Sequence, residues 1–178
     1  MSCPDAQRRA RSLHVYNDRF ALTAEPLHPD AHASTYRLNL EVAAARSDGG
    51  SGFNWAVGAK ISVHLAPREM SDLFAVLNGW RERAESTHRG ASRNKGYRVF
   101  VDGGHVIVQL FVPQGRRTVK LEPYDRFAVS SLVLELVTAE ARGPGIDTVF
   151  QQLRAAYEQP QPLVAPRRTE PAVAAIAK

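Results

Sequence analysis

The sequence has a single cysteine, Cys3, so it can form neither an internal disulfide nor a cysteine-rich metal site. No apolar run approaches the roughly 20 residues of a membrane-spanning helix, which predicts a soluble protein with no membrane partner. The first residues lack the apolar segment of a secretory signal, and Asp5 argues against an organelle presequence. Together these features predict a reducing compartment, namely the cytoplasm, or association with the nucleoid if the source is bacterial.

Recognisable catalytic motifs are also missing. The chain contains no Gly-Xaa-Ser-Xaa-Gly elbow, no glycine-rich phosphate loop and no zinc-type spacing. The segment HPDAH (28–32) places two histidines near an aspartate, but a solvated loop explains it better than a metal site. His64 and His105 are isolated, and both are more typical of structural positions than of catalytic ones. We therefore expect no enzyme activity, no cofactor and no metal.

Lysine is scarce, and the positive charge comes from arginine. The chain has 19 arginines, four lysines and a formal net charge of +5. Arginine forms forked contacts with phosphates and stacks on bases better than lysine does. This composition favours a nucleic-acid partner, although a basic surface without any partner would have the same composition.

The chain divides into three parts. Residues 1–11 are predicted to be a flexible basic arm, residues 12–158 a single domain, and residues 159–178 a disordered Pro/Ala-rich tail. Within the domain, alternating patterns predict strands at 13–16, 20–27 and 35–46. A fourth, over 53–65, would bury Phe53 and Trp55 on its apolar face unless a bulge at Gly58 moves them to the other face.

Helical spacing follows this strand. Pro67 is a favourable first helical residue, and apolar residues continue to Trp80, which predicts a helix over 67–80. Residues 81–96 are polar and predict a basic connection that could contain a short strand. A second helix is expected over 123–141, apolar nearly all round and therefore buried, with a strand as an alternative for its middle. A third is expected over 145–158.

A meander of three strands is predicted between the first two helices. The turn Asp102-Gly103-Gly104-His105 pairs Arg98 with Gln109 and Phe100 with Ile107. If PQGR (113–116) is a four-residue loop, Val108 lies opposite Leu121. One face of the meander is then apolar. The other carries Arg98, Phe100, Ile107, Gln109, Phe111, Thr118 and Lys120.

Three segments resemble the Whirly family of single-stranded-DNA-binding proteins, whose wider fold includes positive cofactor four. They are VYNDRFALTAEPLHP (15–29), FNWAVGAKISVHLAPREMSDLF (53–74), and the meander GYRVFVDGGHVIVQLF with RRTVKLEP and the apolar helix after it. The resemblance spans residues 13–141. It implies an α+β fold of two strand-rich repeats, each closed by a helix (ββββα-ββββα), with antiparallel sheets around a helical core. The third helix is an addition at the C-terminus.

The resemblance also implies a function and an assembly. Family members bind single strands along their sheets and commonly form tetramers, although a dimer is compatible with the sequence. Arg19 is the one cation where the family has a basic Lys-Gly-Lys-Ala segment, and Ala66 replaces its serine before Pro67. The Ala66 change removes a helix cap worth about 1 kcal/mol.

The sequence therefore predicts a non-enzymatic, sequence-tolerant binder of single-stranded DNA or RNA. Cations would contact phosphates, and aromatic rings would stack on bases. The alternative is an oligomeric protein-interaction module that regulates transcription or nucleic-acid transfer; an RNA-binding protein is another. We expect the binding residues to be Arg19, Phe20, Arg37, Lys60, Arg98, Phe100, Phe111, Arg117 and Lys120.

Overall fold

The computed structural model describes residues 12–29, 34–47, 50–89 and 94–158, without the side chains of His88 and Arg89. The arm at 1–11, the tail at 159–178 and most of the HPDAH segment lie outside these ranges. The described residues form two antiparallel four-stranded sheets, each followed by a helix, with a third helix at the end. This confirms the predicted α+β class and its two ββββα repeats.

The first sheet is a simple meander. Its strands are β1 (Leu13–Tyr16), β2 (Phe20–Leu27), β3 (Arg37–Ala44) and β4 (Lys60–Leu65). The Asn17 carboxamide oxygen closes the first turn, because it accepts hydrogen bonds from the backbone N–H groups of Arg19 (3.1 Å) and Phe20 (2.8 Å). One sheet face is buried, and the other carries small and polar side chains.

The strand predicted over 53–65 is shorter than expected, and the placement of Phe53 and Trp55 in its core was wrong. The strand begins at Lys60, because Gly58 adopts a positive φ of 84° in a turn closed by Ala59 N–H and Ala56 C=O. Phe53 forms only an isolated bridge with Ala45. The alternation that predicted a longer strand therefore stops at Gly58. The residues before it, including Phe53 and Trp55, do not continue the apolar face of β4.

Helix α1 (Pro67–Leu77) starts where predicted and ends three residues early. The Glu69 carboxylate accepts a hydrogen bond from the Ala66 backbone N–H at 2.9 Å, which caps the helix without a serine. Asn78 ends it: its side-chain amide donates to Phe74 C=O at 2.9 Å and to the Ser130 hydroxyl at 3.0 Å.

The second sheet is formed by β5 (Arg83–Arg89), β6 (Lys95–Asp102), β7 (His105–Val112) and β8 (Gly115–Leu121). The predicted basic connection thus contains a seven-residue strand. The predicted pairs Arg98–Gln109 and Phe100–Ile107 are confirmed. The predicted β7–β8 register was wrong by two residues, because only Pro113 and Gln114 form the turn and Val112 pairs with Gly115. A shift of two leaves every side chain on its predicted face.

Helix α2 (Pro123–Ala141) has the predicted bounds, and α3 (Ile146–Glu158) is one residue shorter than expected. Helix α2 packs against both α1 and α3, with Val129, Leu132, Val133 and Leu136 buried. The Phe150 ring of α3 meets the rings of Phe74 and Trp80 at centroid distances of 6.1 and 5.4 Å. Tyr124 and Phe127 are exposed, so α2 is not buried all round in one chain, as its composition had predicted.

The two sheets pack face to face around one apolar cluster. Strand β4 lies against β6 and β7, and β8 lies against β2 and β3. The helices follow the last residues of β4 and β8, so they close one end of this sandwich. The opposite end, where β4, β6 and β8 begin, has no helix among the described residues. We call this open end the mouth.

Candidate nucleic-acid interface

The outer face of the second sheet carries the cations and aromatic rings of the predicted meander. Its side chains alternate with the buried residues Tyr97, Val99 and Val108. Cross-strand pairing places Arg83, Phe100, Ile107 and Lys120 in one row and Glu85, Arg98, Gln109 and Thr118 in the next. Phe111 and Arg116 pair at the end nearer the mouth. Four of the nine predicted residues, Arg98, Phe100, Phe111 and Lys120, therefore share this face.

Phe111 has a defined position on this face. A Cβ atom placed on Gly96 would lie only 2.3 Å from the Phe111 ring, so the ring covers the glycine backbone. Phe111, Phe100 and Ile107 are half-buried. Each keeps an accessible part on a face with no covering element among the described residues, as a base-stacking surface requires.

The cations of this face form ion pairs at the surface. Arg98 Nε lies 2.7 Å from a Glu85 oxygen, and Lys120 Nζ lies 3.0 Å from a Glu122 oxygen. All four side chains are about 40% exposed or more. Exposed pairs contribute roughly 0–1 kcal/mol, so phosphates can replace these carboxylates at little cost.

The outer face of the first sheet is different. Ala21 and Ala43 are fully buried there, and polar side chains bond to one another. His14 lies 3.1 Å from the Thr23 hydroxyl, and the Ser62 hydroxyl donates to the Asn39 carboxamide oxygen at 2.9 Å. These bonds occupy the polar groups that a bound strand would need.

Of the predicted residues on the first sheet, Lys60 pairs with Glu41 at 2.7 Å. Burial would raise the pKa of the Glu41 carboxyl, but hydrogen bonds from Lys60 and Asn39 outweigh it and lower that pKa. Arg37 lies near His64, whose pKa is lowered by burial and then by the charges of Arg37 and Lys95. Arg37 is half-buried and sits apart from the other predicted cations.

Two further predicted residues lie near the β1–β2 turn. Arg19 is exposed, and its backbone carbonyl accepts a hydrogen bond from Ala45 N–H. Phe20 is half-buried and packs against the core at the start of β2. It does not lie on either outer face.

Arg117 joins the two sheets. Its guanidinium donates a hydrogen bond of 2.7 Å to the backbone carbonyl of Val42 on β3. Burial lowers the pKa of this guanidinium below its ordinary value. Because Arg117 alternates with the outer-face residues Arg116 and Thr118, it points toward the first sheet and is separate from the Arg98 and Phe100 cluster.

The mouth brings together three predicted residues from different strands. A cleft of about 500 Å³ opens there. Its lining includes Phe20, Lys60 and Arg117. Two cations that the sequence did not single out, Lys95 and Arg116, complete it. Alternation places Arg116 beside Phe111 but could not bring it together with Lys95 and Phe20, because the cleft joins strand ends from both sheets.

An aromatic row that the sequence did not predict borders the first sheet. The Tyr16 ring stacks between the rings of His14 (6.1 Å) and Phe53 (5.7 Å). Tyr16 is 62% exposed. These rings contact one another, and Tyr16 keeps a larger exposed fraction than the half-buried Phe100 and Phe111 of the second sheet.

Comparisons with protein-family models and with curated proteins find no match for this chain. Among the described residues, no three His, Cys, Asp or Glu side chains are grouped so that they could hold a metal ion. No helix in the described part of the chain is long and apolar enough to cross a membrane. The geometry of the two sheets is therefore the basis for the functional proposal.

Proposed function

We propose that this protein binds single-stranded nucleic acid on the outer face of its second sheet and has no catalytic role in doing so. The observation that carries the proposal is the shared exposed face of Arg98, Phe100, Phe111 and Lys120. Cations alternate there with aromatic rings over a four-stranded surface. The resemblance to Whirly proteins in residues 13–141 supports the same reading.

The chemistry of this face favours a single strand over a duplex. Aromatic rings stack on a base only when that base is unpaired and turned out from its neighbours. Every base has a π-face, so stacking on Phe100 and Phe111 tolerates any sequence. Arginine and lysine contacts with phosphates add affinity that falls as salt rises. DNA and RNA offer the same two groups, so the proposal covers both.

The test replaces one ring and one cation of the face. Phe100→Ala should weaken oligo-dT binding about 5- to 150-fold, because stacking contributes roughly 1–3 kcal/mol per base. Arg98→Gln should weaken it less and reduce its salt dependence. Arg154→Gln is the matched control, since Arg154 forms an exposed ion pair of 2.9 Å with Glu158 on α3. Equal affinities for all three variants and the wild type would refute the proposed face.

Unchanged dT affinity in Arg154→Gln would show that losing an exposed ion pair is harmless in itself. A DNA oligomer and an RNA oligomer of matched sequence, measured in parallel, would then establish which nucleic acid binds more tightly. Circular dichroism and urea unfolding of each variant separate a lost contact from a lost fold.

A second candidate function is assembly through α2. Tyr124 is 77% exposed and Phe127 is 68% exposed on that helix. Two large apolar side chains close together favour an interface, and we propose a homo-oligomer, with a tetramer favoured over a dimer. Light scattering should give a mass above the 19.6 kDa of one chain, and Phe127→Asp should lower it. Val57→Asp, at a 99% exposed loop position, is the control.

A further inference from the structure

We propose that the mouth is a second binding site, which holds one nucleotide of the bound strand with its phosphate between Lys95 and Arg116 and its base against Phe20. This inference rests on the proposed function, because it extends the path of the strand from the outer face. The ligand is a phosphodiester with an unpaired base. The site lies between the two sheets of one chain.

The charges of the mouth support a phosphate. Among the described residues, four cations line the cleft, Lys60, Lys95, Arg116 and Arg117, and no carboxylate does. Lys60 is paired with Glu41, and Arg117 is bonded to Val42. Lys95 and Arg116 form no ion pair or side-chain hydrogen bond with any residue that the structure describes, so nothing in the described part of the chain neutralises their charges.

The shape of the mouth supports a base. Its volume of about 500 Å³ is within the range of about 300–1,000 Å³ for small-molecule sites. Phe20, Ile61 and Val112 form apolar walls beside the cations. At the rim, a Cβ atom on Gly58 or Gly115 would meet nothing within 4 Å, so the entrance is open.

The mouth also adjoins the proposed outer face. Arg116 lines the cleft and pairs across strands with Phe111, the outer-face ring nearest this end. A strand stacked on Phe111 would therefore pass Arg116 at the tip of the β7–β8 hairpin. Arg116 therefore places a positive charge on the path of the bound nucleic acid. This favours a continuing single strand over an unrelated small anion as the ligand.

The test is photo-cross-linking of oligo-dT that contains 5-iodouracil, followed by mass spectrometry of the cross-linked peptides. The account predicts cross-links at Phe20 as well as at Phe100 or Phe111. In Lys95→Gln/Arg116→Gln the Phe20 cross-link should disappear, and the Phe100 or Phe111 cross-links should remain. Loss of the one phosphate held between these two cations should also make the salt slope of binding less negative by about 0.7.

The outcomes separate this inference from the proposed function. Oligo-dT that fails to bind the wild-type protein would overturn both. Cross-links confined to the outer face, or a Phe20 cross-link that survives in Lys95→Gln/Arg116→Gln, would overturn the mouth site alone. Arg154→Gln serves again as the control for loss of surface positive charge away from both sites, and its cross-links and salt slope should match those of the wild type.

Discussion

The ring of Phe111 lies directly over the backbone of Gly96 on the neighbouring strand. A side chain at position 96 would place its Cβ 2.3 Å from the ring and 2.6 Å from the Ser86 carbonyl oxygen. Glycine is therefore required here by close approach, since its φ is not positive. This contact sets the position of an aromatic ring on the proposed binding face.

Gly96→Ala should consequently affect both stability and binding. Displacing the ring or the β5 backbone should lower the free energy of unfolding by about 1–3 kcal/mol. Oligo-dT affinity should also fall, because Phe111 loses its position. Urea unfolding and fluorescence anisotropy measure the two effects. In Gly145→Ala the new Cβ meets nothing within 4 Å, so a loss below about 1 kcal/mol is expected there. Equal losses in both variants would contradict the contact.

Replacing Arg117 of β8 should mainly lower stability, whereas replacing its neighbour Arg116 should mainly weaken nucleic-acid binding. Arg117→Met removes the hydrogen bond to Val42 C=O and should lower the free energy of unfolding by roughly 1–3 kcal/mol. Arg116→Met should change it by less than about 0.5 kcal/mol, because Arg116 is exposed. For oligo-dT affinity measured at equal folded fraction, the larger loss should occur in Arg116→Met. Two variants with the same stability would refute the role given to Arg117.

The hydrogen bond from Tyr157 of α3 to Asp72 of α1 should stabilise the fold less as the pH rises into the alkaline range. Burial, and then the hydrogen bond and charge of Asp72, raise the pKa of Tyr157, whose hydroxyl donates to that carboxylate at 2.8 Å. As pH rises above about 10, the unfolded chain loses this proton first, so the stabilisation is lost. Tyr157→Phe should cost about 0.5–1.5 kcal/mol at pH 8, and the difference should shrink toward pH 11.

Chemical denaturation at several pH values measures that difference. Tyr16→Phe is the control, because Tyr16 is 62% exposed and its hydroxyl makes no hydrogen bond within the described part of the chain. A Tyr157→Phe deficit that stays constant from pH 8 to about pH 11 would contradict the Asp72 contact.

The Lys60–Glu41 pair should be visible in the titration of its carboxylate. Without Lys60 the burial of Glu41 remains, while a hydrogen bond and a positive charge are lost. Lys60→Met should therefore raise the pKa of Glu41, which carboxyl NMR can follow. Lys120→Met, which breaks a pair on the other sheet, should leave the Glu41 pKa unchanged. No change in Lys60→Met would mean that the pair does not form.

Local patterns predicted most of the fold. The bounds of β1, β2 and α2 follow from alternation, turn residues and Pro123, and all of these are local signals. The strand over 53–65 was predicted too long because a single glycine with positive φ interrupts an otherwise perfect alternation. The sequence gives little sign that a strand begins only after such a glycine, because Gly58 is equally compatible with a bulge inside a longer strand.

The candidate site was predictable only in part. The shared face of Arg98, Phe100 and Lys120 follows from strand period and a hairpin turn. The mouth could not be found this way, since Lys95 and Phe20 come from strands in different sheets. For Arg117 the sequence prediction failed in another way. The sequence predicts a cation that contacts phosphate, but tertiary packing directs its guanidinium to the Val42 carbonyl.

The central claim is a preference for single strands based on stacking and phosphate contacts. Fluorescence anisotropy of labelled oligo-dT and of its duplex, from roughly 50 to 200 mM salt, tests it most directly. The account predicts that oligo-dT binds at least about tenfold more tightly, and that the logarithm of its association constant falls linearly with log salt. Equal binding of strand and duplex, or an affinity that does not change with salt, would contradict it.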